Sequence, residues 1–300
     1  SEALGLNTDL CEVLALSHDI GHPPFSHQGE VVLDRIMRNY GSGFEHNLHA
    51  LRIVEDFEEK YASFRGLNLT FEVREGIVKH SRDYSEDEES YVDIREYKLR
   101  ERPTLEAQLI DLADEIAYNS ADLDDGYDSG LLTVEQLLQQ VELFRVAYGS
   151  VQDRYGEVPE KLRVSEAVRQ IIDFLVTSLI TNSREVLTRN KIDSVEKVRS
   201  FPRRLLGLDT RSATLNQELK CFLQQNLYHH QILKRAREKT EHLLEELFEH
   251  YVNHPRLLPD SHYRRIASLG LERIVCDYIA GMTDKFAQST YAELFGITHL

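Results

Sequence analysis

Apolar residues recur at intervals of three and four positions along nearly the whole 300-residue chain. This spacing is typical of helices that bury one face, and no stretch shows the sustained alternation of a half-buried strand. Most of the seven prolines stand where such helices would begin or end. We therefore predict an all-α protein, with helices at 10–18, 46–61, 104–122, 165–181, 215–228, 240–252 and 271–287.

Polar stretches separate these helices. The segment 82–103 is highly charged and is expected to be an exposed connection, and shorter polar stretches cover 149–163 and 199–213. No linker marks a domain boundary. We predict a chemical half over 1–135 and a helical half over 136–300 that packs on it and contributes to the substrate pocket.

The charge balance limits the partners of the chain. Lysine and arginine number 35 against 51 acidic residues, a formal charge of −16, which argues against nonspecific duplex binding. A bound cation could still create a local phosphate site. The three scattered cysteines, and the lack of an apolar run near 18 residues or a signal-peptide pattern, predict a cytoplasmic protein without a membrane span.

One early segment concentrates groups that bind metals. Imidazole and carboxylate together suit a divalent ion with open coordination positions. The alternative is a helix end whose histidine caps carbonyl groups, with the other histidines in an ordinary loop. The density of such groups within thirteen residues favours the metal site: His18, Asp19, His22, His27 and Glu30.

The residues around this segment suggest its local structure. A helix over 10–18 would end at Gly21 in a left-handed conformation, and Pro23-Pro24 would prevent its continuation. His18 and Asp19 would then lie in the last helical turn.

A second candidate site lies on the helix predicted over 104–122. Asp111, Asp114, Tyr118 and Asp122 follow the spacing i, i+3, i+7 and i+11, which places them on one stripe. The stripe could be a solvated face. Small residues beside it, such as Ala113 and Ala117 among others, favour the close approach of a ligand or another helix.

The run His-Asp-Ile-Gly-His-Pro-Pro-Phe-Ser-His-Gln-Gly-Glu at 18–30 resembles the signature of HD-domain deoxynucleoside triphosphate triphosphohydrolases of the dGTPase type. The similarity extends through 44–47, 67–80, 105–125, 226–228 and 277–284, so it covers nearly the whole chain. It implies an HD-domain helical bundle with additional C-terminal helices.

The resemblance also implies roles for individual residues. The metal ligands would be His18, Asp19 and Asp114, together with a histidine that the family carries several tens of residues before His18. No histidine occurs among residues 1–17, so we expect that ligand upstream of the chain. His27 would be the general acid, Glu30 would orient it, and His22 would contact the α-phosphate.

By resemblance to the family, the residues that would bind the substrate fall in both predicted halves of the chain. Tyr118 and Asp122 would lie near the sugar and phosphates. Lys220 and Tyr228 share a helix face with Gln224 and would lie near the phosphates and sugar, although a surface lysine and a core tyrosine are an equal alternative. His46 would lie at the edge of the pocket.

The activity implied by the resemblance is hydrolysis of a dNTP, with dGTP favoured, to deoxynucleoside and tripolyphosphate. Mg²⁺ or Mn²⁺ would be the cofactor. The family also suggests dNTP or single-stranded DNA effectors and a homo-oligomer, a hexamer. Two alternatives stay open: another HD-type phosphohydrolase, such as a dNMP nucleotidase, and a non-catalytic nucleotide- or single-strand-binding protein with a decayed metal site.

Overall fold

The computed structural model describes residues 1–84 and 92–296. The all-α prediction is confirmed, because the described residues contain helices and turns but no strand. The α-helices are α1 (Thr8–Ser17), α2 (Ser26–Arg38), α3 (His46–Arg52), α4 (Phe71–Val78), α5 (Leu105–Asp128), α6 (Val134–Gln140), α7 (Glu142–Tyr155), α8 (Glu160–Arg189), α9 (Val195–Arg199), α10 (Thr210–Leu223), α11 (Gln231–Asn253), α12 (Asp260–Tyr263), α13 (Ile266–Leu269), α14 (Leu271–Ala280) and α15 (Asp284–Phe295).

Two predicted helices change their winding. The segments Ile53–Phe57 and Gln224–Tyr228 form π-helical turns that directly follow α3 and α10. The helix predicted over 271–287 is in fact two helices, α14 and α15, with Gly281 at the break. In the described part of the chain, no helix is both long enough and apolar enough to span a membrane.

Residues 1–11 and 101–234 form one compact unit. Its core is built from α5, α6, α7, α8 and α10, whose apolar faces bury side chains such as Leu123, Phe144 and Leu175. The 3₁₀ turn Glu2–Leu4 packs on α8 within the same unit. The boundary expected between residues 135 and 136 stays a prediction.

Residues 12–100 and 235–300 form the other compact unit. Its core joins α2, α11, α14 and α15, and buries side chains such as Leu33, Leu247 and Ile274. Helix α3 packs on α4 and on the π-helical turn that follows it. This unit contains the whole segment 18–30, which concentrates the candidate metal-binding groups.

The expectation of an exposed connection over 82–103 is wrong for its second part. Ile94, Tyr97 and Leu99 are buried, and Tyr97 anchors a 3₁₀ turn at Arg95–Tyr97. The phenol of Tyr97 donates to a carboxylate oxygen of Glu55 at 2.5 Å. The high charge of this stretch concealed its apolar residues, because they do not recur at helical spacing. Residues 85–91 of that connection lie outside the described residues.

The expectation of a left-handed Gly21 is also wrong. Gly21 is not among the glycines with positive φ. It is needed for space, because a Cβ atom there would lie 2.0 Å from the His46 carbonyl oxygen and 2.4 Å from the Ala50 nitrogen. The turn after α1 therefore runs directly against the backbone of α3.

A buried ion pair joins α3 to α14. The guanidinium of Arg52 donates to the carboxylate of Asp277, and Nδ1 of His49 lies 3.6 Å from the other carboxylate oxygen. Burial would raise the pKa of Asp277, but contacts with His49 and Arg52 outweigh burial and lower it. The pair therefore depends on a charged carboxylate in the interior.

We predict that Gly21→Ala destabilises the protein by about 1–3 kcal/mol, because the atoms that meet the new methyl group are backbone and cannot move aside independently. Gly149→Ala is the matched control. Gly149 lies within α7 with no atom within 4 Å of its Cβ position, so alanine should stabilise the fold by about 0.5–1 kcal/mol. Chemical denaturation measures both, and equal effects of the two changes would contradict the close approach at Gly21.

We predict that Asp277→Asn lowers the free energy of unfolding by about 3–5 kcal/mol, because the buried carboxylate is lost and the partly buried guanidinium of Arg52 loses that counterion. The folded pKa of Asp277 lies below the ordinary value of about 3.9. Its stabilisation is therefore complete above that pH and lost as the pH falls through the folded value.

Denaturation midpoints measured from pH 7 to pH 3 should thus fall more steeply for the wild-type protein than for Asp277→Asn. The control is Asp93→Asn, which removes a fully exposed contact with Arg95 and should leave the midpoints nearly unchanged. Parallel pH profiles for the wild-type protein and Asp277→Asn would contradict the prediction.

Candidate metal centre

The carboxylate of Asp19 lies between two imidazole rings. Nε2 of His18 is 3.3 Å from one carboxylate oxygen, and Nε2 of His22 is 3.3 Å from the other. The prediction that His18 and Asp19 belong to the last turn of a helix is wrong by one or two residues. Helix α1 ends at Ser17, and the pair occupies the turn that follows.

The ring of His18 is oriented by the end of α1. Its Nδ1 lies 3.0 Å from the Ala15 carbonyl oxygen and 3.3 Å from that of Leu14. Carbonyl oxygens only accept, so the proton of the neutral ring belongs on Nδ1 and the Nε2 lone pair faces Asp19. A lone pair and a carboxylate that converge at this distance form a donor set suited to a divalent cation.

The charge on Asp19 is maintained by its neighbours. Burial would raise the pKa of this carboxyl, but contacts with His18 and His22 outweigh burial and hold the pKa far below its ordinary range when those two rings carry a second proton. Asp19 is therefore an anionic ligand at neutral pH. Asp19, His22 and His46 each offer a ligand atom, and these atoms lie within 4.8 Å of one another.

Glu30 connects two further histidines. One of its oxygens accepts from Nδ1 of His46 at 2.8 Å and from the backbone N–H of His46 at 2.9 Å. The other oxygen lies 3.7 Å from Nδ1 of His27. The sequence paired Glu30 with His27 alone, whereas its shorter contacts go to His46, which is brought close by the fold.

The rings of His22, His27 and His46 pack against one another. The rings of His22 and His46 are nearly parallel, with centroids 4.0 Å apart, and His27 meets His22 edge to face at 4.8 Å. Burial lowers the pKa of His46, although its hydrogen bond to Glu30 opposes the change. Burial would raise the pKa of Glu30, but contacts with His27 and His46 hold it well below its ordinary value.

A strained turn places His27 at the start of α2. Phe25 and Ser26 both have positive φ, 65° and 51°, an uncommon conformation for residues with side chains. The backbone N–H of Phe25 donates to the carboxylate of Asp284 at 2.9 Å. Gly29 lets α2 start close to the proline pair, since a Cβ there would lie 2.0 Å from the Pro24 carbonyl oxygen.

His80 is a neighbour of His18 that sequence reasoning missed as a candidate ligand. It follows α4 and is buried, and its ring centroid lies 4.6 Å from that of His18. The only available signal was its place at the end of the resembling stretch 67–80. No spacing rule connects it to a motif sixty residues earlier.

The other unit carries the second constellation on α5. The phenol of Tyr228 donates to the carboxylate of Asp122, and the rings of Tyr118 and Tyr228 lie 6.3 Å apart. Burial raises the pKa of Asp122, although hydrogen bonds with the two phenols oppose it. Asp114 is half-buried on the same helix, and Asp111 forms an ion pair with Arg204.

Lys220 and Tyr228 do not share an uninterrupted helix face. Helix α10 ends at Leu223, and the π-helical turn 224–228 shifts Tyr228 relative to the predicted spacing. The Lys220 ammonium lies 2.8 Å from the carboxylate of Glu115. Asn216 donates to the other oxygen of Glu115 at 2.8 Å, so this lysine has an acidic partner that the sequence did not indicate.

Comparison with known proteins places the chain among phosphohydrolases. An HD domain matches residues 1–119, and a phosphohydrolase-associated domain matches residues 206–293. A deoxyguanosinetriphosphate triphosphohydrolase-like protein of Geobacter metallireducens is 45% identical over 97% of this chain and 74% of its own length. Proteins of the same name from Geobacter sulfurreducens and Azoarcus sp. are 44% and 41% identical.

Histidine and aspartate side chains on a helical scaffold, together with the HD-domain match, define a metal-dependent phosphohydrolase. The chain belongs, more narrowly, to the family of deoxyguanosinetriphosphate triphosphohydrolase-like proteins.

Proposed function

We propose that this protein hydrolyses a deoxynucleoside triphosphate, with dGTP favoured, to the deoxynucleoside and tripolyphosphate. The observation that carries the proposal is the cluster of His18, Asp19, His22, His27, His46 and Glu30. It occurs in a chain that is 45% identical to a protein named deoxyguanosinetriphosphate triphosphohydrolase-like. Mg²⁺ or Mn²⁺ would be the cofactor.

His18 and Asp19 would hold the divalent ion, and Asp114 on α5 is assigned to the same ion by family resemblance. When bound, the ion supplies Lewis-acid polarisation of the α-phosphate. The orientation of His18, with Nδ1 directed at backbone carbonyl oxygens, supports this assignment. His22 would contact the α-phosphate oxygens from the opposite side of Asp19.

His27 would supply the proton that the reaction needs. Water attacks the α-phosphorus and the 5′-oxygen leaves as an alkoxide, a poor leaving group unless it is protonated. The side chain of His27 is 65% exposed, so a substrate could reach it. Glu30 would hold His27 and His46 in their orientations and stabilise the imidazolium form of His27.

Asp122, Tyr118 and Tyr228 would bind the sugar. Burial raises the pKa of Asp122, and the phenol of Tyr228 donates to it. Such a carboxyl is suited to accept a hydrogen bond from a 3′-hydroxyl rather than to approach a phosphate. Lys220 would bind the triphosphate once released from Glu115. Regulation by a dNTP or single-stranded DNA, a hexameric assembly and a cytoplasmic location stay predictions.

The decisive experiment incubates the full-length protein with dGTP and either Mg²⁺ or Mn²⁺, and resolves the products by anion-exchange chromatography. Deoxyguanosine and tripolyphosphate in equal amounts are expected. Release of orthophosphate or pyrophosphate would refute the proposal. Hydrolysis of dGMP in place of dGTP would favour the nucleotidase alternative.

We predict that His27→Gln lowers kcat by about 10²–10⁴-fold, because glutamine cannot transfer a proton to the leaving oxygen. KM should change little. His242→Gln is the matched control, since His242 is an exposed histidine on α11 paired with Glu246. Steady-state kinetics on dGTP measure both variants, and wild-type kcat in His27→Gln would exclude His27 as the acid.

We predict that Asp122→Asn raises KM for dGTP by about tenfold, the effect of one charge-assisted hydrogen bond. With 2′,3′-dideoxy-GTP, which has no 3′-hydroxyl, the wild-type protein and the variant should give similar KM values. Asp153→Asn on α7, outside the Asp122 contact network, serves as the control. An equal rise in KM for both nucleotides would show that Asp122 does not read the 3′-hydroxyl.

A further inference from the structure

We propose that His80 is a ligand of the metal ion held by His18 and Asp19, so that this site is richer in imidazole than the sequence motif indicates. The proposal rests on the metal site of the proposed function, and it assigns that site a residue and a metal preference. Three groups of one compact unit would then meet at the ion: two imidazoles and a carboxylate.

The first support is distance. His18 and His80 each offer a ring nitrogen, and these atoms lie within 4.8 Å of each other. Their ring centroids are 4.6 Å apart and their planes are inclined by 59°. Nε2 of His18 also lies 3.3 Å from the carboxylate of Asp19, so the side of His18 that bears the lone pair faces an anion.

The second support is that the turn carrying His80 is fixed on both sides. The buried amide of Asn47, next to His46 on α3, donates to the His80 carbonyl oxygen at 2.8 Å. The buried ammonium of Lys79 donates to the Lys98 carbonyl oxygen at 2.8 Å and to Glu75 at 3.0 Å. The turn that carries His80 is therefore held in place by α3 and by the 92–100 segment.

The third support is a polar contact on the ring itself. The hydroxyl of Ser81 lies 3.4 Å from Nε2 of His80. In metal sites, an outer contact to a histidine ring fixes its tautomer and orientation. Only 5% of the His80 residue surface is exposed, and a buried imidazole of this kind is suited either to ligation or to packing on His18.

A second imidazole changes which ion the site prefers. Imidazole suits later first-row metals, whereas carboxylate and water suit Mg²⁺. Removal of His80 should therefore weaken binding of Co²⁺ by at least about tenfold and affect Mg²⁺ much less, because Mg²⁺ depends on the oxygen ligands. If His80 only packs on the ring of His18, its removal should produce no such difference between Co²⁺ and Mg²⁺ binding.

The experiment titrates full-length wild-type protein with Co²⁺ and follows the visible absorption of the bound ion, with calorimetry for Mg²⁺. His80→Phe keeps an aromatic ring against His18 but removes both nitrogens. His80→Leu is a second variant of smaller volume, and circular dichroism checks the folding of each. His262→Phe is the control, because the ring of His262 stacks on Phe57 and meets Tyr278 edge to face, and His262 belongs to none of the candidate metal-binding groups of the described residues.

We expect His80→Phe and His80→Leu to bind Co²⁺ at least about tenfold more weakly with a changed absorption band, while His262→Phe behaves as wild type. An unchanged Co²⁺ affinity and spectrum in the folded His80 variants, together with a loss of binding in His18→Ala, would overturn the role of His80 and leave the proposed function intact. A wild-type protein that binds no divalent ion would overturn the metal-dependent function itself.

Discussion

The close approach of the Gly21 backbone to the first turn of α3 is the constraint on which the histidine cluster depends. With 2.0 Å between the position of a Cβ atom and the His46 carbonyl oxygen, only glycine fits. That approach allows the ring of His22 to stack on that of His46. Glu30 then accepts hydrogen bonds from both the ring and the backbone N–H of His46. The short motif at 18–30 becomes a site only when α3 lies against it.

Helix α3 organises this unit more than its seven residues suggest. Its first turn carries His46 and Asn47, which contact Glu30 and the turn of His80. Its last residue, Arg52, forms the buried pair with Asp277 on α14. Two sets of candidate functional groups are thus tied to a single helix, and the ion pair at its far end fixes its position.

The sequence could predict what depends on local pattern. Helical periodicity identified the all-α class, and the dense motif indicated His18, Asp19, His22 and His27 as candidate site residues. The sequence could not predict contacts between segments that are far apart along the chain. The pairing of Lys220 with Glu115 links residues 105 positions apart, and the burial of Tyr97 inside a charged stretch depends on its partner Glu55. The sequence could not predict the π-helical turn that ends before His229 either. That turn differs from α10 in its backbone hydrogen bonds, but no change in the residue pattern marks it.

The turn at Phe25 and Ser26 has a consequence for engineering heat tolerance. Two non-glycine residues in the left-handed region store about 1–3 kcal/mol each, and Asp284 helps to hold them there. Ser26→Gly would relieve that strain without loss of apolar packing, so a search for thermostable variants would find it early, whereas Phe25 packs on the core of its unit and is not replaced without cost. The same change would loosen the entry to α2, and the protein would gain stability while the orientation of His27 became less defined.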